Sequence, residues 1–125
     1  MSFDWAEYLN LADALYRQRD TFANREACMR AAVSRGYYAA FCAARNRARD
    51  KDGLALSSDA TDHRMVKDHY AGSSDRTRQK IGTLLTRLRN NRNQVDYQDT
   101  ISALEPLSIA SLKLAHDLFN FLQHL

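Results

Sequence analysis

Ile81, Leu84, Leu85 and Leu88 recur at the i, i+3, i+4, i+7 spacing of one helix face. At roughly 100° per residue the stripe runs on to Arg92 and Val95, so a guanidinium stands in line with a buried face. A charge in that position is costly unless an anionic group meets it. Arg89, Asn93 and Asp96 share the sector, because neighbours three, four and seven residues apart lie on one side of a helix. The segment from Leu88 to Tyr97, LRNNRNQVDY, therefore predicts a polar cluster at the edge of a helical core. Such a cluster can pair internally, bind a phosphate or meet a second chain.

The same patterning predicts helices along most of the chain. A first helix is expected from about Phe3 to Arg19, with Trp5, Tyr8, Leu9, Ala12 and Tyr16 on its apolar face. Asn24 is placed to cap a second helix running from about Arg25 to Asp50, with Gly53 as its stop. Between Ala31 and Ala44 only Ser34, Arg35 and Gly36 interrupt small or aromatic residues, which marks a central helix covered on several sides. Gly36 and the alanines there are expected to permit close helix approach. Gly53 to Asp62 reads as an exposed loop and His63 to Tyr70 as a short helix. Ser74 or Asp75 is expected to cap the helix that carries the Arg92 segment. A final helix is expected from about Ser102 to Leu125, where Ser102 and Glu105 have capping-box spacing and Pro106 falls in the first turn. Its two apolar stripes, one through Leu114 and Leu118 and one through Leu112 and Ala115, call for cover from its own bundle or from another subunit.

At 125 residues the chain suits one domain, and 45% hydrophobic with 26% charged content is ordinary for a globular protein. No apolar run approaches the roughly 20 residues needed to span a bilayer. The Met-Ser-Phe-Asp-Trp start lacks a basic region followed by an apolar one, so a cytoplasmic protein without membrane contact is expected. Net charge is only +3, but Arg76, Arg78, Lys80, Arg87, Arg89 and Arg92 crowd one stretch. Arg45, Arg47 and Arg49 near a helix C-terminus read instead as cations favoured by the helix dipole. Cys28 and Cys42 fall on one helix about 21 Å apart, too far for a disulfide, and read as buried thiols. The histidines His63, His69, His116 and His124 form no ligand-spaced pair, so no metal or cofactor is called for; surface or capping roles are the default, with the approach of one of them to Arg92 through the fold as the alternative. Tyr37, Tyr38 and Phe41 read as core residues, although Tyr38 shares a face with Ser34 and Arg45 and can reach the Arg92 cluster.

The run RAAVSRGYYAAFCAAR from Arg30 to Arg45, with its Ser-x-x-Tyr-Tyr-Ala-x-Phe core, is followed downstream by RNQVDY from Arg92 to Tyr97. Together with the opening Phe-x-Trp-Ala-x-Tyr-Leu, these resemble the HEPN family of nucleotide-binding helical domains over nearly the whole chain. The resemblance implies an all-α, up-and-down bundle of four to five helices spanning residues 1–125 as a single HEPN-like domain, dimerising through the bundle. It further implies a toxin–antitoxin or defence setting, with a nucleotidyltransferase-type protein, RNA or a nucleotide as partner. Many members are metal-independent ribonucleases whose motif pairs an Arg with a His four to six residues on and often a Tyr beyond. The matching candidates are Arg92, Asn93 and Tyr97, with Arg89 as a second arginine. Here no His lies between Arg89 and Tyr97; Gln94, Val95 and Asp96 stand in its place. Neither an amide nor an aliphatic group shuttles a proton near neutral pH, and an ordinary Asp is a poor acid there. The expectation is thus a binding module, with Arg89, Arg92, Asn93, Asp96, Tyr97, Ser34 and Tyr38 as its site, and a His-less ribonuclease as the alternative.

Overall fold

A computed structural model describes residues 2–125. It contains five α-helices and, among the described residues, no strand. They are α1 (Ala6–Arg17), α2 (Arg25–Asp52), α3 (Asp62–Ala71), α4 (Arg76–Tyr97) and α5 (Leu104–Gln123). Local chemistry sets most of their ends. The Asn24 side chain accepts from the Ala27 amide and the Asp75 side chain from the Arg78 amide, each satisfying an orphan donor of the first turn. Gly53, at φ 73°, adopts the left-handed conformation that closes α2.

The helix α2 is the central one. It packs against α1 and α5 on one side and against α3 and α4 on the other. Ala32, Ala39, Ala40, Ala44 and Ala48 along it are fully buried, so neighbours approach its backbone closely. The main core joins Tyr37 and Phe41 of α2 to Val66 and Tyr70 of α3, Ile81 and Leu88 of α4, and Leu118 of α5. The buried Tyr70 hydroxyl donates to the Ala44 carbonyl at 2.8 Å, and burial pushes its pKa up to about 12. A smaller cluster of Met29, Val33, Val95 and Leu104 seals the other end of α2. No helix among the described residues is long and apolar enough to cross a membrane.

Several expectations need correction. Helix α1 is shorter than its apolar stripe suggested, because the Asp4 carboxylate accepts the Ala6 amide at 3.0 Å and holds the preceding residues outside the helix. The Ser102–Glu105 capping box does not form, and α5 starts after Ala103 with no side-chain cap. Three donors take the Glu105 carboxylate instead: Arg19, Arg25 and the Tyr16 hydroxyl. Gly36 is not what lets helices approach, since a Cβ there would meet Leu112, Ala115 and Ala12 at ordinary contact distances of 3.6–3.9 Å. The glycine that matters is Gly82, where a Cβ would lie 2.8 Å from the Ala71 backbone nitrogen of α3. The apolar stripes of α5 are covered largely within the chain: Leu112, Leu114, Ala115 and Leu118 are buried against α2 and α4.

Candidate functional site

Helix α4 delivers Arg92 as its stripe predicts, with the side chain only 16% exposed. The anionic group that meets it is Asp96, one turn on, whose Oδ2 lies 2.8 Å from Arg92 Nε. The contact is an ion pair rather than a hydrogen bond, because the Nε–H does not point along it. The guanidinium's other edge faces α2: Arg92 Nη2 donates to the Tyr38 hydroxyl at 2.6 Å, and Nη1 donates to Asn93 Oδ1 at 3.1 Å. Ser34, one turn before Tyr38, donates its hydroxyl to Asp96 Oδ2 at 3.3 Å. Two segments far apart in the chain, Ser34 to Tyr38 and Arg92 to Asp96, thus close on each other.

Aromatic faces complete the setting. The Arg92 Cζ sits 5.1 Å from the Tyr38 ring centroid and 5.6 Å from that of Tyr97, within cation–π range. Tyr97 ends α4 and is 73% exposed, leaving its outer face open to a ligand. The end of α4 is clamped by Arg30, which donates to the carbonyls of Val95, Gln98 and Asp99 at 2.8, 2.6 and 3.1 Å. That clamp satisfies carbonyls that a helix C-terminus leaves orphaned.

Of the predicted site residues, Ser34, Tyr38, Arg92, Asn93, Asp96 and Tyr97 come together. Arg89 does not join their contacts. It is exposed, has no carboxylate partner, and lines a separate cavity of about 200 Å³ with Tyr37, His63 and Arg64. Arg45 also stands apart from the cluster, over the rings of Trp5 and Phe41 at 5.7 and 5.9 Å. Arg78, one of the crowded cations, is bound to Asp52 by two hydrogen bonds of 2.7 and 3.1 Å and holds α4 to the end of α2.

One histidine, His63, lies beside the site rather than in the surface or capping role expected by default. His63 opens α3 and stacks on Phe41 with centroids 4.1 Å apart and planes 9° from parallel. Its ring lies 6.1 Å from that of Tyr38, at 80°. Its Nδ1 is hydrogen-bonded to the Tyr37 hydroxyl, and its Nε2 has no partner among the described residues. Burial first, then the charges of Arg89 and Arg92, hold its pKa below the usual imidazole range, so the ring is neutral at pH 7. Burial also pushes the Tyr37 hydroxyl far above its ordinary value, so it stays protonated and available as a donor. When Tyr37 donates to Nδ1 the neutral ring carries its proton on Nε2 and presents a donor; when Tyr37 accepts from Nδ1–H, Nε2 presents a lone pair instead. A signal for this position exists in the sequence: His63, Val66 and Tyr70 share the i, i+3, i+7 face of α3, and Val66 and Tyr70 are fully buried. The other histidines are tied locally, His69 to Asp52, His116 to Asp13 and His124 to the Asn120 carbonyl.

Comparison with protein-family models, curated proteins and solved structures returned no match to this chain.

Proposed function

We propose that the chain is a HEPN-like helical module that dimerises and binds RNA or a nucleotide phosphate at the Arg89–Arg92–Asn93 edge of α4. The observation that carries this reading is the meeting of the two segments on which the resemblance rests, through the Tyr38–Arg92 and Ser34–Asp96 hydrogen bonds. Asp96 and Tyr38 pre-orient the Arg92 fork, while Arg89 one turn away supplies a cation with no carboxylate of its own. Oriented guanidinium groups beside an exposed tyrosine suit a phosphate with its attached base. The toxin–antitoxin or defence setting, the homodimer and the nucleotidyltransferase-type partner follow from the resemblance and belong to the proposal.

One observation favours a second reading, a metal-independent ribonuclease. The imidazole missing from the α4 motif has a counterpart in His63, which faces the charges of Arg89 and Arg92 from α3. Incubating the purified protein with total RNA and labelled oligoribonucleotides, beside Arg92→Ala and His63→Ala, separates the two. Salt-dependent binding without cleavage is expected of the module. Cleavage that both substitutions abolish in folded protein makes it a nuclease. Light scattering on the same sample tests the dimer, which a monomer at working concentration would refute.

A further inference from the structure

Three cavities open side by side along α2. The largest, about 650 Å³, lies between α2, the Gly53–Thr61 loop and the start of α3. It shares Phe41 and His63 with the cavity that holds Arg89, and Tyr38 and Cys42 with one of about 280 Å³ beside Trp5 and Tyr8. The three cavities are neighbours along one face, parted by the side chains they share, and the largest falls in the ligand-binding range of about 300–1,000 Å³.

Their walls alternate rings and cations. Arg35 lies over Tyr8 and Tyr38 at 5.7 and 5.4 Å, and its one hydrogen bond goes to Ser34 Oγ. Arg45 donates only to the Asn46 side-chain oxygen. Among the described residues neither has a carboxylate partner, nor do Arg64 and Arg89 at the far end, whereas Arg49 on the same wall is paired with Asp50 at 2.8 Å. The carboxylates at the rim are turned to their own loop: Asp62 accepts the Ser57 and Ser58 amides, and Asp59 accepts from Thr61. The half-buried Tyr38 and His63 rings form a corner at 80°, and His63 Nε2 has no partner there.

We infer that this row of cavities is a binding track for single-stranded RNA, bases lodging against Tyr38 and His63 and phosphates on Arg35, Arg45 and Arg64. The inference rests on the nucleic-acid reading above and extends its site from the end of α4 across α2 to the α2–α3 loop. Unpaired arginines spaced between aromatic rings suit a flexible polyanion whose bases are free to splay, and base-paired RNA hides the faces that would stack.

The test is fluorescence anisotropy of the full chain with a labelled 12-nucleotide oligouridylate and a 12-base-pair RNA duplex at low salt. The single strand is expected to bind about tenfold more tightly than the duplex. Arg45→Ala and Arg64→Ala are each expected to weaken single-strand binding severalfold and to lower the salt slope by about 0.7. Arg64 is exposed, so its variant keeps the test open if Arg45→Ala is unstable. Equal affinity for duplex, or Arg45→Ala and Arg64→Ala variants that bind like wild type while folded Arg92→Ala fails, overturns the track and leaves the α4 reading standing. No binding of either RNA by the wild-type chain overturns both.

Discussion

Asp96→Asn should tighten RNA binding while costing the fold little. Asp96 is the carboxylate that neutralises Arg92, at 2.8 Å from Nε, and any phosphate reaching the guanidinium's outer edge must tolerate it. Both side chains are partly shielded, 16% and 26% exposed, so loss of this i, i+4 pair should cost about 0.5–1 kcal/mol of stability. Asparagine keeps an oxygen for the Ser34 hydroxyl, which limits the damage. A phosphate about 7 Å from the carboxylate is repelled by about 0.6 kcal/mol in bulk water and about 2.4 kcal/mol at an effective dielectric of about 20. Removing that charge should therefore improve affinity by about 3- to 60-fold at low salt. The gain should shrink as ionic strength shortens the screening length. Anisotropy with a labelled oligoribonucleotide reads the affinity and urea unfolding reads the stability. Asp117→Asn, which frees Lys113 on α5, controls for the added net charge and should gain little. A folded Asp96→Asn protein that binds no better than wild type, or no better than Asp117→Asn, would refute the reasoning.

Gly82→Ala and Gly36→Ala should move stability in opposite directions. The first drives a Cβ to within 2.8–2.9 Å of Ala71, where overpacking of about 1–3 kcal/mol outweighs the gain in helix propensity; the second makes only ordinary contacts and should stabilise by up to about 1 kcal/mol. Thermal melts decide both, and equal shifts would contradict the packing. Arg30→Ala should cost about 1–3 kcal/mol by unclamping three carbonyls at the end of α4, with amide exchange accelerated first at Tyr97 and Gln98. His63 should make stability fall as pH drops below 6.5. Its folded-state pKa is depressed, so the unfolded chain binds the proton first, and the loss continues down to the folded value. Urea midpoints between pH 5 and 7 should flatten in His63→Gln; an unchanged slope would place the proton elsewhere.

Much of the helical plan is legible in the residues because short-range chemistry controls it. Asn24, Gly53 and Asp75 act within one turn of themselves, and each ends or begins a helix where the pattern predicts. The Arg92–Asp96 pair is equally local, four residues apart on one helix. What the pattern hides is long-range competition. Ser102 and Glu105 have the spacing of a capping box, yet Arg19, Arg25 and Tyr16 claim the Glu105 carboxylate from far along the chain. His63 is the sharper case. Spaced against His69 it looks like a solvent position, and only its phase with Val66 and Tyr70 reveals a ring turned toward Phe41 and Tyr37. Arg89 and Arg92 share a sector by periodicity, but α2 draws Arg92 inward through Tyr38 and leaves Arg89 lining a cavity that Arg92 does not reach.

The most direct test of the nucleic-acid site is a titration of labelled oligoribonucleotide with wild-type protein and Arg89→Ala, alongside melting curves. Arg89 is exposed and unpaired, so its loss should leave the melting temperature unchanged. Salt-dependent binding by wild type, weakened about tenfold in Arg89→Ala, is expected. Wild-type protein that ignores RNA, or an Arg89→Ala protein that binds as well, would contradict it.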